Sequence, residues 1–140
     1  IVAKKSLALP TAKAVDCIKL PGAAIKQDEF LFFSWRDGEG KLIGENDFFS
    51  KAYKYYDLPR VGVIFKWSEG ENGPQVSLTS DKVALFVTAT TDVPGYFSDN
   101  GVTLLPDRET VLTFTPRHNK KVSVREAAKG FKVRNWSETF

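Results

Sequence analysis

The sequence predicts an all-β fold, an antiparallel two-sheet β-sandwich, and three observations carry that expectation. Apolar residues recur in eight or nine short runs, several with the two-residue period of strands, parted by turn signals about every 8 to 12 residues. No segment carries a sustained helical period, which sets alternating strand–helix architectures aside. With 42% hydrophobic and 13% aromatic residues in a chain of 140, there is enough apolar surface for one well-covered core.

Taken in order, Ile1 to Pro10 reads as a linker or a first edge strand, closed by proline. Ala14 to Leu20 is a strand candidate ending at the turn pair Pro21-Gly22, and the lone Cys17 within it is expected to be a buried, inert thiol. Phe30 to Trp35 is rich in aromatics and short, which favours a strand buried on both faces, with Trp35 in the core. Asp37-Gly38-Glu39-Gly40 is a hairpin turn, Lys41 to Ile43 returns from it, and Gly44 to Asp47 reads as another turn. Phe48, Phe49, Tyr53, Tyr55 and Tyr56 follow without a clean period and are expected to cover one side of the sandwich.

From Val61 the pattern sharpens. Val61, Val63, Phe65 and Trp67 alternate with Gly62, Ile64 and Lys66, so they share the core face of a strand. Glu69 to Pro74 is a turn, and Gln75 to Thr79 is a strand with Val76 and Leu78 facing in. Val83 to Thr90 is a buried strand, and Arg108 to Thr115 reads as the next strand. Arg117 to Lys121 is a polar connection, and Val122 and Val124 read as a short strand. Arg125 to Lys129 can wind one helical turn before Gly130 stops it, and Phe131, Val133 and Asn135 alternate with Lys132, Arg134 and Trp136 in a last strand. The whole of 1–140 is expected to form a single domain, with 1–13 a linker or an edge strand from a preceding domain.

Between the strands at 83–90 and 108–115 lies the most distinctive stretch, Gly95-Tyr96-Phe97-Ser98-Asp99-Asn100, followed by Leu104-Leu105-Pro106. Rings that can fill a core stand beside short side chains that hydrogen-bond a turning backbone, which suits a chain crossing from one sheet to the other. These residues, with the strand that ends at Pro116, resemble the C-terminal immunoglobulin-like domain of β-mannosidases in glycoside hydrolase family 2. Gly101 stands where that family usually has an aromatic, and Asp107-Arg108 where it has Gly-Glu. The resemblance implies an immunoglobulin-like sandwich from a multidomain enzyme that cleaves β-mannosides with retention through a covalent intermediate. It also implies a periplasmic, secreted or lysosomal location for that parent. With Ile1 first and no methionine, the chain is expected to be a processed or excised piece.

Charge and composition narrow the partners. The chain carries 20 basic and 17 acidic residues, a net of +3, and the excess sits at the C-terminus, where residues 116–140 hold seven Lys/Arg against two Glu. Without a basic helix, zinc-finger or RRM-type pattern, this reads as a solvated edge rather than a nucleic-acid surface. No run of about 18 apolar residues occurs, so no helical membrane span is expected.

Candidate chemistry is sparse. Glycoside hydrolysis needs two carboxylates flanking the scissile bond. The carboxylates here, Asp28-Glu29, Glu45/Asp47, Glu69/Glu71 and Asp99, are spread through turns and the crossing segment. The resembled enzymes place both catalytic glutamates on a barrel of about 250 residues, with the acid in an Asn-Glu dipeptide that this chain lacks. His118 is the only histidine and has no partners for a triad or a zinc site. Asp99 and Asn100 lack calcium-loop spacing and are expected to bond the turn backbone. No cofactor, metal ligand or catalytic residue is expected. Asn135-Trp136-Ser137 is an N-glycosylation sequon.

Trp136, with Lys132 and Arg134, is the candidate contact surface, either for docking on a neighbouring domain or for stacking on a sugar ring. Two functions follow as expectations. The first is a non-catalytic accessory domain that packs against other domains of its parent and helps shape access to the active site. The second is an autonomous carbohydrate-binding module that takes a β-mannoside oligosaccharide.

Overall fold

The computed structural model describes residues 3–9, 13–22, 25–119 and 121–138. They fall into two compact units, 1–56 and 57–140. Among the described residues the regular structure is nine strands, one four-residue helix and short 3-10 turns.

Among its described residues the first unit contains one antiparallel hairpin, β1 (Leu31–Arg36) paired with β2 (Leu42–Phe48). The turn at its tip is closed by Asp37, whose Oδ1 accepts from the amides of Glu39 and Lys41. The stretch 44–47, expected as a turn, is instead in β2, opposite Trp35, Ser34, Phe33 and Phe32. β1 is not buried on both faces: Phe33 is 46% and Trp35 47% exposed, because the two-stranded sheet has no second layer among the described residues of this unit. Phe49 stacks on Phe30 at 4.6 Å and meets Tyr53 and Tyr56 edge-on, so these aromatics build a small cluster at the base of the hairpin. Tyr56 is buried there, and its hydroxyl accepts from the Ser50 amide. Residues 13–20 form no strand and Cys17 is exposed, contrary to expectation, since no neighbouring strand among the described residues pairs with them.

The second unit is the sandwich. One sheet has four strands in the order β3 (Ile64–Gly70), β4 (Gly73–Thr79), β8 (Thr110–Pro116), β6 (Gly95–Phe97). The other has three, in the order β7 (Val102–Leu104), β5 (Ala84–Thr90), β9 (Lys132–Arg134). All pairings are antiparallel. Strict alternation on β4 puts Val76 and Leu78 inward, and the fully buried core adds Val87, Leu104, Leu112 and Phe114. Each such side chain contributes about 1.5–3 kcal/mol of apolar transfer energy. At the β3 edge, Trp67 packs on Phe131 at 5.1 Å and Phe97 at 6.2 Å, while Phe65 stays 48% exposed although it shares the inward face.

β5 carries a bulge. Ala84 opposes Leu104 and Val87 opposes Val102, so one residue is extra, and Phe86 takes φ +50° to absorb it. Val122 and Val124 do not form a strand; α1 (Val124–Ala127) begins there. Ser123 caps it, its Oγ accepting from the Glu126 amide while the Glu126 carboxylate accepts from the Ser123 amide. Those bonds hold the Glu126 carboxyl below the ordinary range, the Ser123 backbone contact being the main cause. Gly130, at φ +61°, ends the turn as expected.

Candidate functional site

The crossing segment does what its side chains suggest. β6 lies in the four-stranded sheet and β7 in the three-stranded one, so residues 98–101 carry the chain between layers. Gly95 sits tight against β8: a Cβ there would stand 2.4 Å from the Phe114 ring and 2.6 Å from the Thr115 carbonyl. Tyr96 points out of the sheet and is exposed, whereas Phe97 turns in against Phe114 at 5.2 Å. Ser98 donates its amide to the Thr113 carbonyl and accepts the Thr113 amide on its hydroxyl. Asn100 behaves as a surrogate strand residue for β5: its Oδ1 accepts the Ala89 amide at 2.8 Å, and its Nδ2 donates to the Ala89 carbonyl at 3.0 Å. Asp99 accepts the Asn100 amide at 2.7 Å. Leu104 is fully buried, Leu105 half-buried, and Pro106 exposed at the start of the following turn. These residues therefore form a structural joint, with the polar groups of Asn100 spent on backbone.

The C-terminal surface divides. Lys132 and Arg134 project from the outer face of β9, opposite Thr90 and Thr88 of β5. Trp136 does not continue that alternation, because the strand ends at Arg134 and residues 136–138 form a 3-10 turn. Trp136 is half-buried and lines a shallow depression with Leu58, Pro59, Val83 and Leu85. The structure thus places the two cations side by side on a sheet face and the indole on the turn beyond them.

That turn is organised by Asn135. The residue is 3% exposed, its Nδ2 donates to the Val61 carbonyl at 3.0 Å, and its Oδ1 accepts from the Ser137 amide at 2.9 Å and hydroxyl at 2.6 Å. The sequon asparagine is therefore a latch between the start and the end of the sandwich. The nitrogen that a glycan would occupy donates to the Val61 carbonyl in the folded domain. Residue type and spacing mark a sequon without deciding whether it is used; the Asn-x-Ser turn at a strand end is the signal for the latch.

Beside it lies an open depression of about 350 Å³ lined by Arg60, Val61, Gly62, Ser137 and Glu138. Its one carboxylate, Glu138, accepts from the Asn135 amide at 3.4 Å and faces no second carboxyl among the lining residues. A glycosidase site needs two carboxyls about 5 to 9.5 Å apart across a sugar, and this depression does not provide them. Three other carboxylates tie parts of the chain together. Asp28 pairs with Lys51 at 2.9 Å, Glu29 accepts from the Lys26 amide, and Glu69 accepts from the Val124 amide. Among the described residues no three His, Cys, Asp or Glu side chains converge on a point where a metal ion could sit. Among the described residues no helix is long and apolar enough to cross a membrane.

Residues 58–139, more than half of the chain and nearly all of the sandwich unit, match the sequence profile of the family Ig_mannosidase, described as an Ig-fold domain. No curated protein matches the chain.

Proposed function

We propose, since the chain belongs to the Ig_mannosidase family of Ig-fold domains, that it is a non-catalytic accessory part of a larger β-mannosidase-like retaining enzyme of glycoside hydrolase family 2. In this role the sandwich packs against other domains of the parent and helps to wall the approach to an active site carried elsewhere. One observation carries the reading. The family match coincides with a seven-strand sandwich whose polar side chains, Asn100 and Asn135 above all, are spent on holding its own backbone.

The physical argument runs through the carboxylates. Cleavage of a β-mannoside with retention needs an acid and a nucleophile about 5 Å apart, with their pKa values driven in opposite directions. Asp28, Glu29, Glu69 and Glu138 each engage a lysine or a backbone amide, and the buried core cluster is apolar. The exposed cations Lys132 and Arg134 and the half-buried Trp136 remain the contact surface in this proposal, facing a neighbouring domain.

Titrating the chain with mannan oligosaccharides, with calorimetry as readout, tests the accessory reading against a sugar-binding module. Negligible binding is expected. Saturable binding lost in Trp136→Ala would overturn the accessory reading in favour of the module.

A further inference from the structure

We infer that Asn72, at the tip of the β3–β4 hairpin, is a site of spontaneous deamidation in the folded domain, and that Asn100, in the same Asn-Gly dipeptide, is held back from that reaction by the bonds that tie it to β5. The inference stands apart from the proposed parentage, since it uses only these two residues and their surroundings.

The sequence carries two Asn-Gly pairs, Asn72-Gly73 and Asn100-Gly101. An asparagine followed by glycine is the most open to attack from within its own chain, because no Cβ on the next residue keeps the backbone nitrogen from the carboxamide carbon. That nitrogen loses its proton and bonds to Cγ, and the Cγ–Nδ2 bond breaks, with ammonia leaving and carrying the proton. Water then opens the cyclic imide at either carbonyl. The product is aspartate or, with the chain routed through Cβ and Cγ, isoaspartate. A water is consumed, an ammonia is released, and nothing is oxidised or reduced. The step requires the carboxamide to turn until Cγ meets the lone pair of the nitrogen, which stands at right angles to its N–H.

Exposure does not separate the two sites, since both asparagines are exposed. Bonding does. Gly70 opposes Gly73 across the hairpin, so Glu71 and Asn72 are the whole of its loop. The Asn72 carboxamide makes no hydrogen bond among the described residues and is free to turn. Gly73, at φ +121°, sets no side chain over it. Asn100 has no such freedom. Its Oδ1 accepts the Ala89 amide at 2.8 Å and its Nδ2 donates to the Ala89 carbonyl at 3.0 Å, which fixes both ends of the carboxamide to β5. The Gly101 N–H points at the Val87 carbonyl at 3.0 Å and at Asn100 Oδ1 at 3.2 Å, so the N–H and not the lone pair is directed at the carboxamide. The lock also protects the joint between the sheets: an aspartate at 100 would set an acceptor against the Ala89 carbonyl. At 72 the product adds a charge to a loop that already carries Glu71 and faces water.

Incubating the folded 140-residue chain at mildly alkaline pH, followed by peptide mass mapping that separates aspartate from isoaspartate, tests this. Asn72 should convert about 30-fold faster than Asn100, the factor that two hydrogen bonds of ordinary strength supply. In the chain unfolded by guanidinium the two should convert at similar rates. Asn72→Gln should abolish the fast conversion in the folded chain and leave its denaturation midpoint unchanged, because the Asn72 side chain holds nothing in place. Conversion of Asn100 as fast as Asn72 in the folded chain would overturn the inference, as would Asn72 reacting no faster than Asn46, which Asp47 follows. So would a difference that persists in guanidinium, since the flanking sequence rather than the bonds to Ala89 would then set it.

Discussion

Replacing Asn135 by alanine should weaken the sandwich by about 2–4 kcal/mol, and the figure can be assembled from its contacts. The substitution strips the Val61 carbonyl of its 3.0 Å donor at a residue 8% exposed, and takes the 2.9 Å acceptor from the Ser137 amide. A buried backbone group left unpaired costs about 1–3 kcal/mol. The Ser137 hydroxyl, half-buried, can turn to water, so the 2.6 Å bond adds little. The assay is urea denaturation followed by tryptophan fluorescence, with the midpoint shifting and the slope unchanged if the native surface is preserved. Asn135→Asp sharpens the test, because an ionised carboxylate would aim an acceptor at the Val61 carbonyl. Burial would raise that carboxyl's pKa, so the folded state would bind the proton more tightly than the unfolded one. Its stability should therefore be greatest at low pH and fall as pH rises through the raised value. An Asn135→Ala midpoint equivalent to less than about 0.5 kcal/mol, the range of an ordinary surface change, would refute the latch.

Four further outcomes follow from the same structure. Asn100→Ala should cost about 2 kcal/mol, by freeing the amide and carbonyl of the buried Ala89, as read by chemical denaturation. The Trp67 indole nitrogen is buried and meets no acceptor among the described residues, so Trp67→Phe should cost less than about 1.5 kcal/mol, whereas Phe97→Ala should cost about 3–5; calorimetric melting separates them. Ser123→Ala should cost α1 about 1 kcal/mol, measured as faster amide exchange over 124–128. Because the Glu126 carboxyl is held below its ordinary value, the cap should persist above about pH 4.3 and be lost as pH falls through the lowered folded value, a change visible in the same exchange experiment.

How much of this was legible depends on what each residue answers to. Val76 and Leu78 were readable because alternation on a strand between two layers is dictated by burial, and both are fully inside. The crossing at 95–104 was readable for a similar reason: Phe97 needed a core and Asn100 needed a backbone, and each found one within a few residues. The helical turn was half-seen. Gly130 marked its end, but Val122 and Val124 suggested a strand, although Ser123-x-x-Glu126 spelled a capping box one residue away. The bulge at Phe86 had no local signal, since it is set by how β5 must register with β7. Trp35 and Cys17 were misplaced because a run of apolar side chains shows a need for cover and not whether the described chain supplies it. Both are exposed. At the candidate surface, Lys132 and Arg134 followed the strand period, while Trp136 left it when the chain turned at Asn135.

In the proposed function this chain supports a glycosidase without performing its chemistry, and turnover tests that most directly. The purified 140-residue chain should release aryl alcohol from an aryl β-mannoside no faster than buffer does, under conditions where the complete parent turns over. Release above buffer by the chain alone, persisting through re-purification and abolished by changing one of its own carboxylates, would contradict it.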